Sequence, residues 1–364
     1  MQIPRFPLLQ NAPDIDNVSM PSKLLTSKGD LRESHSHKLE DRFGRIATYL
    51  RVSVTDRCNL YCTYCVPPED IELFPKPDLL TFEEIERTVR ILVTLGIRKL
   101  RITGGEPLLR HQLPDLIERL AGIDSLEGIS MTTNATKLAP IATALANAGL
   151  DSVNISLDSI DPARFAQVTQ GAQLTPVLQG IDAALRVGLR VKLNAVALAD
   201  LTKEEAISLV QYGIDRDITI RFIEWMPLCG TSWNREQYIP LTHLEAALHQ
   251  HFQLEHVPEA SDVAREYAIR GTRSRVGFIT SLSRSFCSTC NRLRLSATGQ
   301  LRSCLFSQSG ENLRPLLRKG ASDSEIRTTA LRTVAAKPKA HGRDDGFPGI
   351  EHDFSDPIIR SIGG

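Results

Sequence analysis

The 364-residue sequence is 41% hydrophobic and 24% charged, the balance of a soluble globular protein with one large domain or two ordinary ones. Its 43 Lys and Arg offset 43 Asp and Glu, which excludes the overall basic excess of a nucleic-acid or membrane-surface binder and leaves room for a local basic pocket. No apolar run approaches the ~18 residues of a membrane helix, and "FPLL" near the start is too short for a signal-peptide core, so the seven cysteines are expected in a reducing, cytoplasmic compartment.

Residues 1–40 are polar and aperiodic and read as a disordered tail. From "YLRVSV" (49–54) the chain alternates short β-rich runs with helical ones. The further strands are "KLRIT" (99–103), "GISMTT" (128–133), "SVNISL" (152–157), "VKLNAV" (191–196) and "ITIRFIE" (218–224). Of the helices between them, 81–96 is the best marked, with Thr81 as N-cap, Glu84 as its capping-box partner and Gly96 as the stop. Others fall at 113–122, 138–149, 175–188 and 203–213. Six strands alternating with helices predict an α/β fold with a parallel sheet curled as a partial or full TIM-type barrel, an open doubly wound sheet being the alternative. Composition shifts near 227–240. Beyond it come a helix at 241–250, a strand at 276–280 and a second set of cysteines, then a poorly periodic Lys/Arg/Asp/Gly-rich stretch from 320, of which 327–357 reads as solvated surface. The domains expected are therefore 41–230 for the barrel and 231–364 for an α+β extension.

Three cysteines, Cys58, Cys62 and Cys65, follow the first strand at spacing C-x3-C-x2-C. In a parallel barrel that is the C-terminal mouth, where active sites sit. Three buried thiols are one reading, and a zinc site short of a fourth ligand is another. An iron–sulfur cube held by three thiolates, with one iron left open, is the third. The second set, Cys287, Cys290 and Cys304, is C-x2-C-x13-C and again one ligand short of a closed zinc ribbon. Cys229 is a candidate fourth ligand to either set, with a buried thiol as the preferred reading.

With its aromatic Tyr64 before the last cysteine, the first motif resembles the radical S-adenosylmethionine (SAM) superfamily. The two cysteine sets, with "DRFGR", "ITGGEPL", "TTN", "SLDSID", "RFIE-x-M" and a terminal "IGG", make the chain from about residue 41 onward similar to the GTP 3′,8-cyclase (molybdenum cofactor biosynthesis protein A) family. The resemblance implies an incomplete (βα)6 barrel with two [4Fe-4S] clusters, the first on Cys58, Cys62 and Cys65 and the second on Cys287, Cys290 and Cys304. SAM would meet Tyr64, Gly104, Gly105, Glu106, Ser156 and Met226. Without the family, Ser156 and Met226 read as ordinary strand-end and core residues. GTP would meet Arg51, Arg101, Thr132, Lys192, Arg292, Leu293 and Arg294. Arg292, Arg294 and the terminal Gly363 and Gly364 would serve the radical step.

The implied reaction starts when a deoxyadenosyl radical, made by one-electron cleavage of SAM, removes the ribose 3′ hydrogen of GTP. C3′ then closes on C8 of guanine. Cyclic pyranopterin monophosphate synthase would act next, a flavodoxin-type system would supply electrons, and a homodimer is implied. Two rivals remain on the sequence alone. One is a radical SAM enzyme acting on a peptide, which would carry more C-terminal cysteines. The other is a non-enzymatic zinc protein, which would be colourless.

Overall fold

The computed structural model describes residues 38–65, 73–228, 231, 233, 235–258, 263–307 and 310–340. Six parallel strands form its centre in sequence order: β1 (Tyr49–Ser53), β2 (Lys99–Thr103), β3 (Gly128–Thr133), β4 (Ser152–Ser156), β5 (Arg190–Ala197) and β6 (Thr219–Glu224). Between them run α1 (Phe82–Thr94), α2 (Leu113–Ala121), α3 (Ala142–Asn147), α4 (Pro162–Thr169), α5 (Thr175–Arg186) and α6 (Lys203–Ile214). The capping box read at Thr81 and Glu84 is formed, each partner serving the other's backbone N–H. α4 was not foreseen, because eight residues give too short a period. Its signals are the Asp161 N-cap and Pro162 in the first turn.

The later part of the chain extends this same sheet at both edges. After α7 (Leu241–His251) come β7 (Leu254–Val257), β8 (Arg265–Ile269) and β9 (Arg275–Ile279). β9 adds in parallel to β6 and carries the antiparallel β8 and β7. β10 (Arg292–Leu295) adds in parallel to β1 on the opposite edge, followed by antiparallel β11 (Gln300–Arg302) and β12 (Glu311–Asn312). The architecture is a partial TIM-type barrel with an α+β extension, and the extension flanks the barrel's open side at both edges.

The strands alternate in an unusual sense. Leu50, Val52, Leu100, Ile102, Ile129, Met131, Val153, Ile155, Leu193, Ala195, Phe222 and Leu293 are all buried in the apolar core shared with the helices. Their neighbours in sequence, on the other face, are Tyr49, Arg51, Arg101, Ser130, Thr132, Asn154, Lys192, Asn194 and Arg221. An ordinary barrel fills its interior with Val, Ile and Leu. This one packs its outer face with apolar residues and turns charge inward.

The segment read as solvated surface is in part a core helix. After the short α8 (Arg314–Arg318), α9 (Asp323–Ala335) runs into it and buries Ile326, Thr329, Ala330, Thr333 and Val334 on one face. The period is helical, but Thr and Ala fill core positions, so the apolar stripe is too faint to see in sequence. The stretch beyond residue 340 lies outside the described residues.

Glu224, at the end of β6, holds the extension to the barrel. It is fully buried and accepts from Leu282 N (2.7 Å), Ser283 N (3.0 Å), the Ser283 hydroxyl (2.5 Å) and the Tyr238 hydroxyl (3.1 Å). Glu224→Ala strips buried donors of their acceptor and is expected to cost about 2–4 kcal/mol, read as a lowered unfolding midpoint. An unchanged midpoint would mean that water replaces the carboxylate.

Candidate active site

The loop carrying Cys58, Cys62 and Cys65 leaves the C-terminal end of β1 and is tied across the barrel mouth. Thr63 N donates to Val168 O (2.9 Å), and Cys65 N to Cys62 O (2.9 Å). The Tyr64 hydroxyl donates to Asp158 Oδ2 (2.9 Å), and Asp158 Oδ1 accepts from Val196 N (2.8 Å). Trp225 Nε1 donates to Tyr64 O (3.2 Å). One tyrosine therefore fastens the loop to the ends of β4, β5 and β6. Asn134 of "TTN" brings its amide to 3.9 Å from Cys58 Sγ. All three thiols are half-buried. Burial, reinforced by Asp158 and the two neighbouring thiols, pushes the Cys62 thiol up.

Gly104 and Gly105 lie against the same loop. Gly105 N donates to Thr55 O (2.8 Å) and Glu106 N to Arg57 O (2.7 Å). A Cβ on either glycine would run into the backbone of Thr55 or of Asp56 and Arg57. Glu106 is buried, and its carboxylate accepts from Leu108 N (3.0 Å), Thr133 Oγ1 (2.7 Å) and Asn134 N (2.7 Å). Burial outweighs these bonds and raises it to about 7. Ser156 and Met226 stand half-buried at the ends of β4 and β6.

Below the mouth the inward residues form rows. Arg294, Arg51, Arg101 and Ser130 are in register across β10, β1, β2 and β3. Thr132, Asn154 and Lys192 form a second row, and Ser156, Asn194, Arg221, Gly277 and Glu266 a third. Arg101 also lies in the field of Arg221, and Lys192 in that of Arg101. On a flat sheet β2 and β6 would be about 19 Å apart, so this coupling reports the curl. Burial, then Arg294 and Arg101, holds Arg51 well below its ordinary value. Burial and Arg292 lower Arg294 to about 10. Burial and Arg221 lower Lys192 to about 8. Such crowding of like charge in a buried space costs free energy that an anion relieves. Thr132 Oγ1 and Asn194 Oδ1 are buried with no hydrogen-bond partner among the described residues. Among the described residues one carboxylate reaches the cations: Glu266, 2% exposed, passes over Gly277 to pair with Arg221, with Arg275 at 3.5 Å and Lys192 at 4.0 Å.

The second cysteine set lies at the other end of the barrel. Cys287 and Cys290 precede β10, which runs parallel to β1, so they sit at its N-terminal end; Cys304 follows antiparallel β11 and returns to the same end. The three thiols feel one another's charge. β1 has five residues. At about 3.3 Å each, the polar interior between the two sets is on the order of 15 Å deep. Burial raises the Cys290 thiol, but Arg292 and Lys337 outweigh it and bring it down to about 7. Arg292 also stacks on Phe286, 4.5 Å from the ring centre.

The sequence-chosen residues thus converge, with particular exceptions. Leu293 is fully buried in the apolar core, on the face opposite Arg292 and Arg294, so its side chain points away from the interior. Cys229, Gly363 and Gly364, and all but the last three residues of the expected tail, lie outside the described residues. Arg221, Asn194 and Glu266 were missed. Arg221 and Asn194 were legible as polar residues at alternate positions of apolar strands, while Glu266 belongs to a strand the sequence did not mark. Lys337 was missed because only the fold brings it to the cysteines. Among the described residues, no three His, Cys, Asp or Glu side chains converge on a single-ion site.

Residues 52–213 match the family model of the radical SAM superfamily, and residues 218–343 that of Molybdenum Cofactor Synthesis C. The GTP 3′,8-cyclase of Nitrobacter hamburgensis is 42% identical over 313 residues, covering 85% of this chain and 91% of that protein. The chain belongs to the GTP 3′,8-cyclase family. It is a radical SAM enzyme of molybdenum cofactor biosynthesis. The GTP 3′,8-cyclase of Brucella ovis is 41% identical with the same coverage. Molybdenum cofactor biosynthesis protein 1 of Bos taurus is 39% identical over 92% of this chain and 53% of its own length. Among solved structures, Streptococcus suis SuiB bound to S-adenosylmethionine shares the fold, with a TM-score of 0.57 and 17% identity over 78% of this chain and 69% of that one. The donor set fits what the GTP 3′,8-cyclase family implies: soft thiols in threes, one set at the mouth and one at the opposite end, and unsatisfied polar atoms among buried cations between them.

Proposed function

We propose that the protein converts GTP to (8S)-3′,8-cyclo-7,8-dihydroguanosine 5′-triphosphate while SAM is cleaved to 5′-deoxyadenosine and methionine. The observation that carries this reading is a cationic interior about as long as a nucleotide, with a three-thiol set at either end. Cys58, Cys62 and Cys65 would hold one [4Fe-4S] cluster and Cys287, Cys290 and Cys304 another, supplying respectively the electron that cleaves SAM and an anchoring iron for the base. Tyr64, Gly104, Gly105, Ser156 and Met226 line the SAM end, and Glu106 fixes the glycine turn against "TTN". Arg51, Arg101, Lys192, Arg221, Arg292 and Arg294 hold the triphosphate, with Thr132 and Asn194 as polar contacts. These groups set the two ligands at reacting distance and keep water and stray hydrogen donors out. Arg294, lowered to about 10 by burial and Arg292, is a readier proton donor than a free arginine.

Among the described residues no helix is long and apolar enough to cross a membrane, and the cytoplasm is the proposed location. Cyclic pyranopterin monophosphate synthase would consume the product, a flavodoxin-type system would reduce the enzyme, and a homodimer is the proposed form. Gly363 and Gly364 would act in the radical step at the mouth.

The test uses anaerobic protein reconstituted with iron and sulfide, given SAM, a reductant and GTP deuterated at C3′. Deuterium in 5′-deoxyadenosine and a cyclised triphosphate are expected. Deoxyadenosine without label transfer would overturn the assignment. GTP affinity should also fall as pH rises through about 8, because Lys192 loses its proton there. If only the protonated form binds, the loss is about tenfold by pH 9. Titrations at pH 7 to 9 read it, and Lys192→Met should abolish that slope.

A further inference from the structure

Lys337 follows the last turn of α9, in a stretch whose sequence carries no recognisable chemistry. Its side chain is nearly inaccessible, at 4% exposure. Nζ lies 2.7 Å from Cys290 O, 3.2 Å from Arg292 O and 3.4 Å from Cys290 Sγ. An ammonium has three N–H donors, and here each has an acceptor. A planar guanidinium could not reach three acceptors converging in this way.

A second basic residue fixes the same segment from the other side. Arg45 of "DRFGR" donates from Nη1 to Cys287 O (2.6 Å) and Lys339 O (2.9 Å), and from Nη2 to Pro338 O (2.6 Å). Asp41, itself buried, orients it through Nε at 2.6 Å. The backbone on both sides of Lys337's contact is therefore held, and the ammonium has little freedom to leave the sulfur.

The two cysteine sets differ in their surroundings. Around the first, the structure places the carboxylate of Asp158, the Tyr64 hydroxyl and the neutral amide of Asn134. Around the second it places Lys337, Arg292 and Arg294. A cluster gains a negative charge on reduction. Hydrogen bonds to its sulfurs and nearby positive charge favour the reduced form.

We propose that Lys337 is a positioning residue of the second cysteine set, donating an N–H···S hydrogen bond to Cys290 and making the cluster bound there easier to reduce than the one at the mouth. This rests on the reading that Cys287, Cys290 and Cys304 hold an iron–sulfur cluster. The lysine does not touch substrate. It sets the charge and orientation of the group that faces it.

The experiment isolates the second cluster in the full chain by replacing Cys58, Cys62 and Cys65 with serine, then reconstituting anaerobically. Iron content, the electron paramagnetic resonance spectrum and the midpoint potential are measured for Lys337, Lys337→Met and Lys337→Arg. Lys337→Met is expected to move the midpoint to lower potential by about tenfold in the reduction equilibrium constant, about 59 mV for one electron, and to change the line shape. Lys337→Arg, which keeps the charge but cannot reach all three acceptors, should recover part of the potential. A Lys337→Met protein with full iron, unchanged midpoint and unchanged spectrum would overturn the inference. A background that binds no iron with Lys337 intact would overturn the second-cluster reading itself, and the inference with it.

Discussion

Serine at Cys58, Cys62 or Cys65 should abolish reductive cleavage of SAM, whereas serine at Cys287, Cys290 or Cys304 should leave cleavage measurable and remove the cyclised product. The structure divides the six thiols between the two ends of one barrel, separated by the depth of its strands. Damage at one end need not reach the other. Each variant is reconstituted without oxygen, and 5′-deoxyadenosine and cyclised nucleotide are counted separately. Deoxyadenosine at the parent rate from all three mouth variants would sink the assignment of that set. Full product from the Cys287, Cys290 and Cys304 variants would make the second set structural. Activity should fall by orders of magnitude in both cases, since a cube with two protein thiolates is poorly held.

Arg294→Met should weaken GTP binding by roughly ten- to a hundredfold, through loss of a charge-assisted hydrogen bond of about 1.5–3 kcal/mol, with SAM binding nearly unchanged. The same substitution should leave the ligand-free protein as stable as before or more so. Arg294 is 4% exposed and crowded by Arg292 and Arg51. Burial beside like charges penalises the guanidinium in the ligand-free protein, and an apolar chain of similar volume relieves that repulsion. Calorimetric titration with each ligand and a thermal melt decide it. Equal loss of both affinities together with a lowered midpoint would mean that Arg294 supports the fold and holds no phosphate. Arg292, half-buried and stacked on Phe286, should show a smaller effect.

By itself the sequence determined what is local or repeats at short period. The six barrel strands, the capping box at Thr81 and Glu84, and the spacing of both cysteine sets are of this kind, since each depends on residues a few positions apart. The alternation in "VKLNAV" and "GISMTT" already carries the polar row that becomes the interior. Which face closes on itself is a matter of curl, and curl is set by all strands together. Only the tertiary structure decided that the two cysteine sets lie at opposite ends, because that depends on β10 joining β1 in parallel across some 240 residues of chain. It alone turned Leu293 into the core. It carried Glu266 over Gly277 to the cations, and brought Arg45 and Lys337, nearly three hundred residues apart, to the same cysteine loop. Such contacts leave no period in a sequence, since they join residues whose proximity is created by the sheet.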